Sequence, residues 1–220
     1  MTNALVRGQG KPYPCLSARR LRAGFSAVLL AAFVAACASP APPRDNFYRL
    51  EAVPQLRALD KAVLPGVLEV NRLDVDGALS ERGLAYQAKD GALARYSYDL
   101  WSDAPATALQ LALADTLRGA HAADQVVTPD LRVPPDWMVR GRLFRFEYLP
   151  AEGRVAVRLQ LAVVSARDGA LVLLQTYDAM PPVQGSGPEA AVSALNQSTA
   201  ELFSRFVADL AKASIPVQRR

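Results

Sequence analysis

Cysteine and histidine are nearly missing from this chain, which holds two Cys and one His in 220 residues. Zinc sites and nucleophile–base pairs draw on these two residue types, so there is little from which to build a metal cluster or a Cys–His catalytic pair. No glycine-rich loop follows a strand-like run, which excludes the usual phosphate-binding and dinucleotide-binding turns. No internal repeat is visible. No acidic residue precedes position 37, whereas Arg7, Lys11, Arg19, Arg20 and Arg22 all do. Those five account for the net charge of +4, since the rest of the chain carries 20 basic residues against 21 acidic ones. The basic balance therefore belongs to the N-terminal segment and argues against a dedicated nucleic-acid surface.

Long hydrophobic runs are also absent, with one short exception. Ala23 to Ala36, AGFSAVLLAAFVAA, carries no charge and follows the basic stretch Ser17-Ala18-Arg19-Arg20-Leu21-Arg22. It is shorter than the roughly 20 apolar residues that a transmembrane helix needs, and it matches the basic and apolar regions of a secretory signal. Met1 to Leu16 is long for the stretch before such a signal, which leaves the true translation start open. Val34-Ala35-Ala36-Cys37 has the form of a lipobox, with cleavage after Ala36 and Cys37 as the lipid acceptor. A sulfur nucleophile is what thioether formation requires. An ordinary cleaved signal or an uncleaved anchor helix is the competing reading. The following Ala38-Ser39-Pro40-Ala41-Pro42-Pro43-Arg44 favours lipidation, because small residues and prolines cannot pack and form an extended tether. With Cys15 in the removed peptide and the Cys37 sulfur occupied, no disulfide survives. Each buried acyl methylene adds about 0.8 kcal/mol, so several chains would anchor the protein durably.

The hydrophobic share of 51% can supply one core in the remainder. The expected organisation is a signal peptide over 1–36, a lipidated tether over 37–46, one α+β domain over 47–214, and a flexible tail over 215–220. Phe47-Tyr48-Arg49-Leu50 could start a sheet, with Pro54 limiting it, and Val67 to Val75 reads as one strand. Leu84 to Lys89 and Leu93 to Trp101 flank Asp90-Gly91, a hairpin signal. Alternation puts Tyr96, Tyr98 and Leu100 on the core face of that hairpin, opposite Arg95, Ser97 and Asp99. A helix starts after Asp103 as N-cap and buries Leu109, Leu113, Leu117 and Ala120, ending near His121. Gln125 to Thr128 reads as a strand. Trp137 to Tyr148, Arg154 to Ser165 and Ala170 to Tyr177 form an antiparallel meander joined by short turns, with a bulge expected at Gly141. The last helix opens with capping-box spacing between Ser186 and Glu189 and buries Val192, Leu195, Leu202, Phe203, Phe206 and Leu210. The fold class expected is α+β: a mixed, largely antiparallel sheet of about six or seven strands with two amphipathic helices packed on it.

His121 stands without partners at a helix end, where an imidazolium would meet the carbonyl end of the helix dipole; a capping or solvent role is the reading adopted. Tyr96, Tyr98, Trp101 and Trp137 raise the idea of a lipid pocket or sugar platform, against which core packing is the stronger expectation.

With the elements placed, the mature chain resembles the auxiliary lipoprotein family of ABC-type intermembrane transport, including its paraquat-inducible members. The resemblance runs through the lipobox at Cys37, Phe47-Tyr48-Arg49-Leu50, Leu84-Ala85-Tyr86, and Tyr98 with Trp101 and Pro105. It ends with Leu143-Phe144-Arg145-Phe146 and the last helix carrying Asn196 and Phe206. It implies a noncatalytic lipoprotein on the periplasmic face of the outer membrane, Ala38 rather than Asp after the cysteine fitting that address. The implied partners are a periplasmic MCE-domain protein with its ABC permease and ATPase, moving phospholipid or other lipophilic compounds, and further copies of the chain in a homo-oligomeric ring. No catalytic residue, cofactor, metal or nucleic-acid partner is implied, and Cys37 is the residue with a defined role. A structural or assembly lipoprotein of an outer-membrane or cell-wall machine is the alternative.

Overall fold

A computed structural model describes residues 43–214. Ala36, Cys37, the signal segment, tether residues 38–42 and the tail from 215 lie outside the described residues. The described residues from Arg44 onward make up one compact unit.

The spine of this unit is β7 (Trp137–Leu149). On one side it pairs antiparallel with β8 (Arg154–Ser165), which pairs in turn with β9 (Leu171–Ala179), so the expected meander is present. On its other side three parallel segments dock in succession. They are β2 (Leu64–Val70) on Trp137 to Val139, β3 (Asp74–Val75) on Arg142 and Leu143, and β4 (Gly83–Gln87) on Glu147 and Tyr148. β4 forms a hairpin with β5 (Leu93–Trp101), β1 (Asn46–Tyr48) lies parallel to the end of β5, and β6 (Ala123–Val127) lies parallel to β2. The result is one mixed sheet of nine strands among the described residues. Its long ladders are antiparallel, and five short ladders are parallel. With α1 (Pro105–Gly119) and α2 (Gly187–Lys212) packed on it, this is the α+β architecture the element order implied.

Packing explains the elements. In β8, Val155, Val157, Leu159, Leu161 and Val163 are buried while Arg154 and Arg158 are exposed, the period-2 pattern of a half-buried strand. Against that face α2 lays Leu195, Leu202, Phe203 and Phe206, each fully buried. Burying a side chain of this size contributes roughly 1.5–3 kcal/mol. α1 buries Leu109, Leu113 and Leu117, and its Gln110 Nε2 donates to the Val70 carbonyl at 2.8 Å, tying helix to sheet. Trp137 is fully buried and donates from Nε1 to the Pro65 carbonyl at 2.9 Å.

Several local expectations change. The run from Val67 to Val75 divides into two strands because, after Asn71 N–H donates to the Val139 carbonyl at 3.0 Å, the ladder to β7 breaks at 72–73 and Leu73 is buried in the core. Gly141 is not the bulge: it pairs regularly with Leu161, and the register slips between Leu143 and Arg145. The glycine serves close packing instead, since a Cβ there would lie 2.5 Å from the Gln160 carbonyl oxygen and 2.8 Å from Leu73 Cδ2. In the hairpin, Gly91 takes φ +84° and the Asp90 side chain accepts from the Ala92 N–H at 3.0 Å, as a tight turn requires. Its ladder then slips between Gly83 and Ala85. That slip lets Tyr96 and Trp101, five residues apart, both face inward, while Tyr98 is 44% exposed and is not a core residue. The N-cap of α1 is Ala104 and not Asp103, with no side-chain cap bond. Ser186 does cap α2, again without a side-chain bond, so the capping box is not closed.

Candidate functional site

The feature with functional geometry lies where the chain enters the domain. β1 is fixed to the end of β5 by the Tyr48 carbonyl, which accepts from the Ser102 N–H at 2.7 Å, and by two side chains meeting at Asp99. Asn46 Nδ2 and the Tyr48 hydroxyl donate to Asp99 Oδ1 at 3.0 and 3.1 Å. Burial first, and the Asp99 carboxylate second, raise the Tyr48 pKa above its ordinary value. Arg82 stacks over the Phe47 ring at 5.3 Å and donates to the Trp101 carbonyl at 2.9 Å. The entry strand is thus held by hydrogen bonds and a cation–π contact, worth about 0.5–1.5 kcal/mol each at such positions.

Beyond β1 the chain crosses α1 as an irregular strap from Leu50 to Val63. It is held at its ends. Glu51 N–H donates to Asn196 Oδ1 at 3.3 Å, and the Leu59 and Val63 amides donate to the Ala120 and Ala122 carbonyls at 3.0 and 3.2 Å. Between these points a cleft of about 410 Å³ opens between strap and helix. Its strap wall includes Leu50, Ala52, Pro54 and Leu56, and its helix wall is Ala112, Asp115, Thr116, Gly119 and Ala120. Those five helix positions have i, i+3, i+4, i+7, i+8 spacing, one face of α1. Small side chains on that face leave the space open. A second lobe of about 150 Å³ adjoins through Leu50, Ala112 and Asp115, and Trp101 is one of its walls.

The helix below the cleft ends in a Schellman motif. Ala122 N–H reaches back to the Leu117 carbonyl at 3.0 Å and His121 N–H to the Arg118 carbonyl at 3.1 Å. His121 occupies the left-handed position, with φ +54°, where glycine is usual. Its exposed ring has a long 3.4 Å contact from Nδ1 to the Leu59 carbonyl, so its place is at a helix terminus, as expected from sequence. Among the described residues, no group of three or more His, Cys, Asp or Glu side chains is arranged to hold a metal ion. The buried carboxylate of Glu147 is engaged structurally, accepting from Arg145 Nε at 2.6 Å and from the Phe146 N–H at 2.8 Å.

Of the residues singled out from sequence, Trp101 borders the cleft system, and Tyr96 packs on Tyr86 with ring centroids 4.6 Å apart. Trp137 lies in the core. Ala36 and Cys37 fall outside the described residues. The cleft itself went unseen in the sequence, although the Ala112/Gly119/Ala120 stripe beside the leucine stripe was a readable sign of it. No helix of the described residues is long and apolar enough to cross a membrane.

Comparison with known proteins agrees with this architecture. Protein XCC0632 from Xanthomonas campestris, of the family DUF330, superposes with a TM-score of 0.61 at 15% identity, covering 74% of this chain and 92% of its own. A second solved structure, of an uncharacterized protein, gives a TM-score of 0.55 at 17% identity, covering 77% of this chain and 98% of its own. At such identities the likeness establishes the fold. No curated protein sequence matches the chain. The model of the ABC-type transport auxiliary lipoprotein component family matches residues 48–207, from the entry strand to the last turns of α2, and the chain belongs to that family.

Proposed function

We propose that the protein is a lipid-anchored, noncatalytic docking component of an ABC transport system that moves phospholipid or other lipophilic compounds between membranes. Processing after Ala36 leaves Cys37 as the lipidated first residue, held in the inner leaflet of the outer membrane. The domain stands off the bilayer on the tether. At about 3.3–3.6 Å per extended residue, the nine steps from Cys37 to Asn46 allow a reach of roughly 30 Å. There the domain meets a periplasmic MCE-domain protein coupled to its permease and ATPase, and copies of the chain assemble into a ring around that contact.

The observation that carries this reading is the extent of the family match, which spans nearly the whole domain. What the match covers is therefore the folded body, and not the segment that would carry the anchor. The test is recovery of the wild-type protein and of Cys37→Ala from solubilised membranes. The wild type is expected to incorporate labelled palmitate and bring down an MCE-domain protein, and Cys37→Ala to lose the label. An unlabelled wild type refutes the anchor. Absence of an MCE protein, together with normal envelope permeability in a deletion strain, refutes the docking role.

A further inference from the structure

We propose that the cleft between the strap and α1 is a binding site for one acyl chain of a zwitterionic, amine-headed phospholipid. The inference rests on the transport reading for its class of ligand and goes beyond it in making the domain itself a lipid binder. Three features on different elements converge. The cleft, about 410 Å³, lies in the lower part of the roughly 300–1,000 Å³ range of small-molecule sites, a size suited to one chain and not to a whole two-chain lipid. Its walls are mostly apolar, and Val53 on the strap wall is 78% exposed, an aliphatic side chain that nothing in the described domain covers.

The adjoining lobe supplies a polar requirement. Trp101 is 1% exposed, and its indole N–H has no acceptor among the described residues. A donor left unmet at that depth is costly, and since the nitrogen has essentially no accessible surface of its own, it gains an acceptor such as a lipid ester carbonyl only when the lobe widens around a bound chain. Charge then selects the head. Glu51 lines the larger lobe, Asp115 lines both, and Asp103 with Arg49 lines the smaller. Asp115 also holds Arg118 at 2.6 Å. Three carboxylates against the two guanidinium groups of Arg49 and Arg118 leave a net negative charge around the site, which complements an ammonium group beside a phosphate and disfavours a head that is only anionic. Between its end attachments the strap's backbone bonds among the described residues are local, Val53 to Glu51 and Leu56 to Pro54, so entry has to displace side-chain packing at Ala52 and Leu56 but no long-range backbone bond.

Gly119 makes the test clean. A Cβ at this helical position meets no atom beyond its own helix turn within 4 Å, so Gly119→Leu adds bulk at the cleft wall with no clash at the Cβ. The domain from Arg44 onward, which closes its own core, is titrated with lysophosphatidylethanolamine carrying a brominated acyl chain, below its micelle concentration. Saturable quenching of tryptophan emission is expected, since Trp101 is one of only two tryptophans. In Gly119→Leu the affinity should fall about tenfold or more with the thermal midpoint unchanged or raised, and the brominated phosphatidylglycerol analogue should bind about fivefold more weakly to the wild type. Glu51→Gln combined with Asp115→Asn should erase that head-group preference. No saturable quenching, quenching unaltered by Gly119→Leu, or equal binding of the two head groups overturns the proposal. Purified domain and lipid are sufficient for this experiment. Its failure would leave the docking role standing on the recovery of an MCE protein, and failure of that recovery would leave the lipid site intact.

Discussion

Replacing Gly141 by alanine is expected to destabilise the domain, and the size of the effect follows from one contact. The added Cβ would stand 2.5 Å from the Gln160 carbonyl oxygen and 2.8 Å from the side chains of Leu73 and Leu161, where ordinary contact begins at 3.4 Å. Separation has to grow by roughly 0.9 Å at the carbonyl. That atom belongs to β8, which is paired to β7 from Trp137 to Leu149, so a flexible side chain cannot absorb the movement. Overpacking of this kind costs about 1–3 kcal/mol. The loss of glycine's freedom in the unfolded chain returns about 0.4–1 kcal/mol. A net loss of about 1–2 kcal/mol at 2–4 °C each lowers the thermal midpoint by roughly 2–8 °C for a domain of this size. Gly119→Ala is the matched control: its Cβ enters open space on a helix, so the same chemical change should raise stability by up to about 1 kcal/mol. Thermal unfolding of both variants followed by circular dichroism measures the pair. A Gly141→Ala midpoint equal to or above that of the wild type, or shifts of the same sign in both variants, would refute the packing argument.

Other residues carry shorter predictions. His121→Gly relieves a left-handed residue at the C-terminal cap of α1 and should stabilise by up to about 1 kcal/mol in urea unfolding while leaving partner recovery intact; a clear loss of either would give the imidazole a role beyond the cap. Tyr177 has its pKa raised far above the ordinary 10.0, by burial first and then by its 3.0 Å hydrogen bond to Asp209. The folded state keeps this proton after the unfolded chain has lost its own. Its stabilisation is therefore complete below about pH 10 and is lost as pH rises toward the folded pKa. Urea midpoints should fall from pH 9 to pH 11 in the wild type and fall less steeply in Tyr177→Phe, which itself costs about 1 kcal/mol at neutral pH for the lost bond. Identical slopes in the two proteins would remove Tyr177 from the alkaline transition.

The elements that local patterning specifies are the ones the sequence reading placed. The Asp90-Gly91 turn, the alternation through β8, and the leucine and phenylalanine stripes of the two helices each follow from neighbours a few residues apart, and backbone geometry there is set locally. Tyr98 was misjudged because strict alternation ignores a register slip that only the pairing of β5 with β4 creates. Gly141 escapes the pattern for a related reason: its need for a missing side chain comes from the Gln160 carbonyl across the β7–β8 ladder and from Leu73, 68 positions earlier.

The cleft is the same lesson at the level of function. Ala112, Gly119 and Ala120 are small whatever surrounds them, and the sequence is enough to put them on one face of a helix. Whether that face becomes core, bare surface or a cavity depends on where the irregular strap from Leu50 to Val63 crosses, and no periodicity encodes the path of such a segment. Charge distribution, helix faces and α+β class were legible because each is a short-range pattern. The parallel docking of β2, β3 and β4 along one edge of β7, the close approach at Gly141, and the lobe bordered by Trp101 arise from contacts between distant segments, where packing overrides local preference.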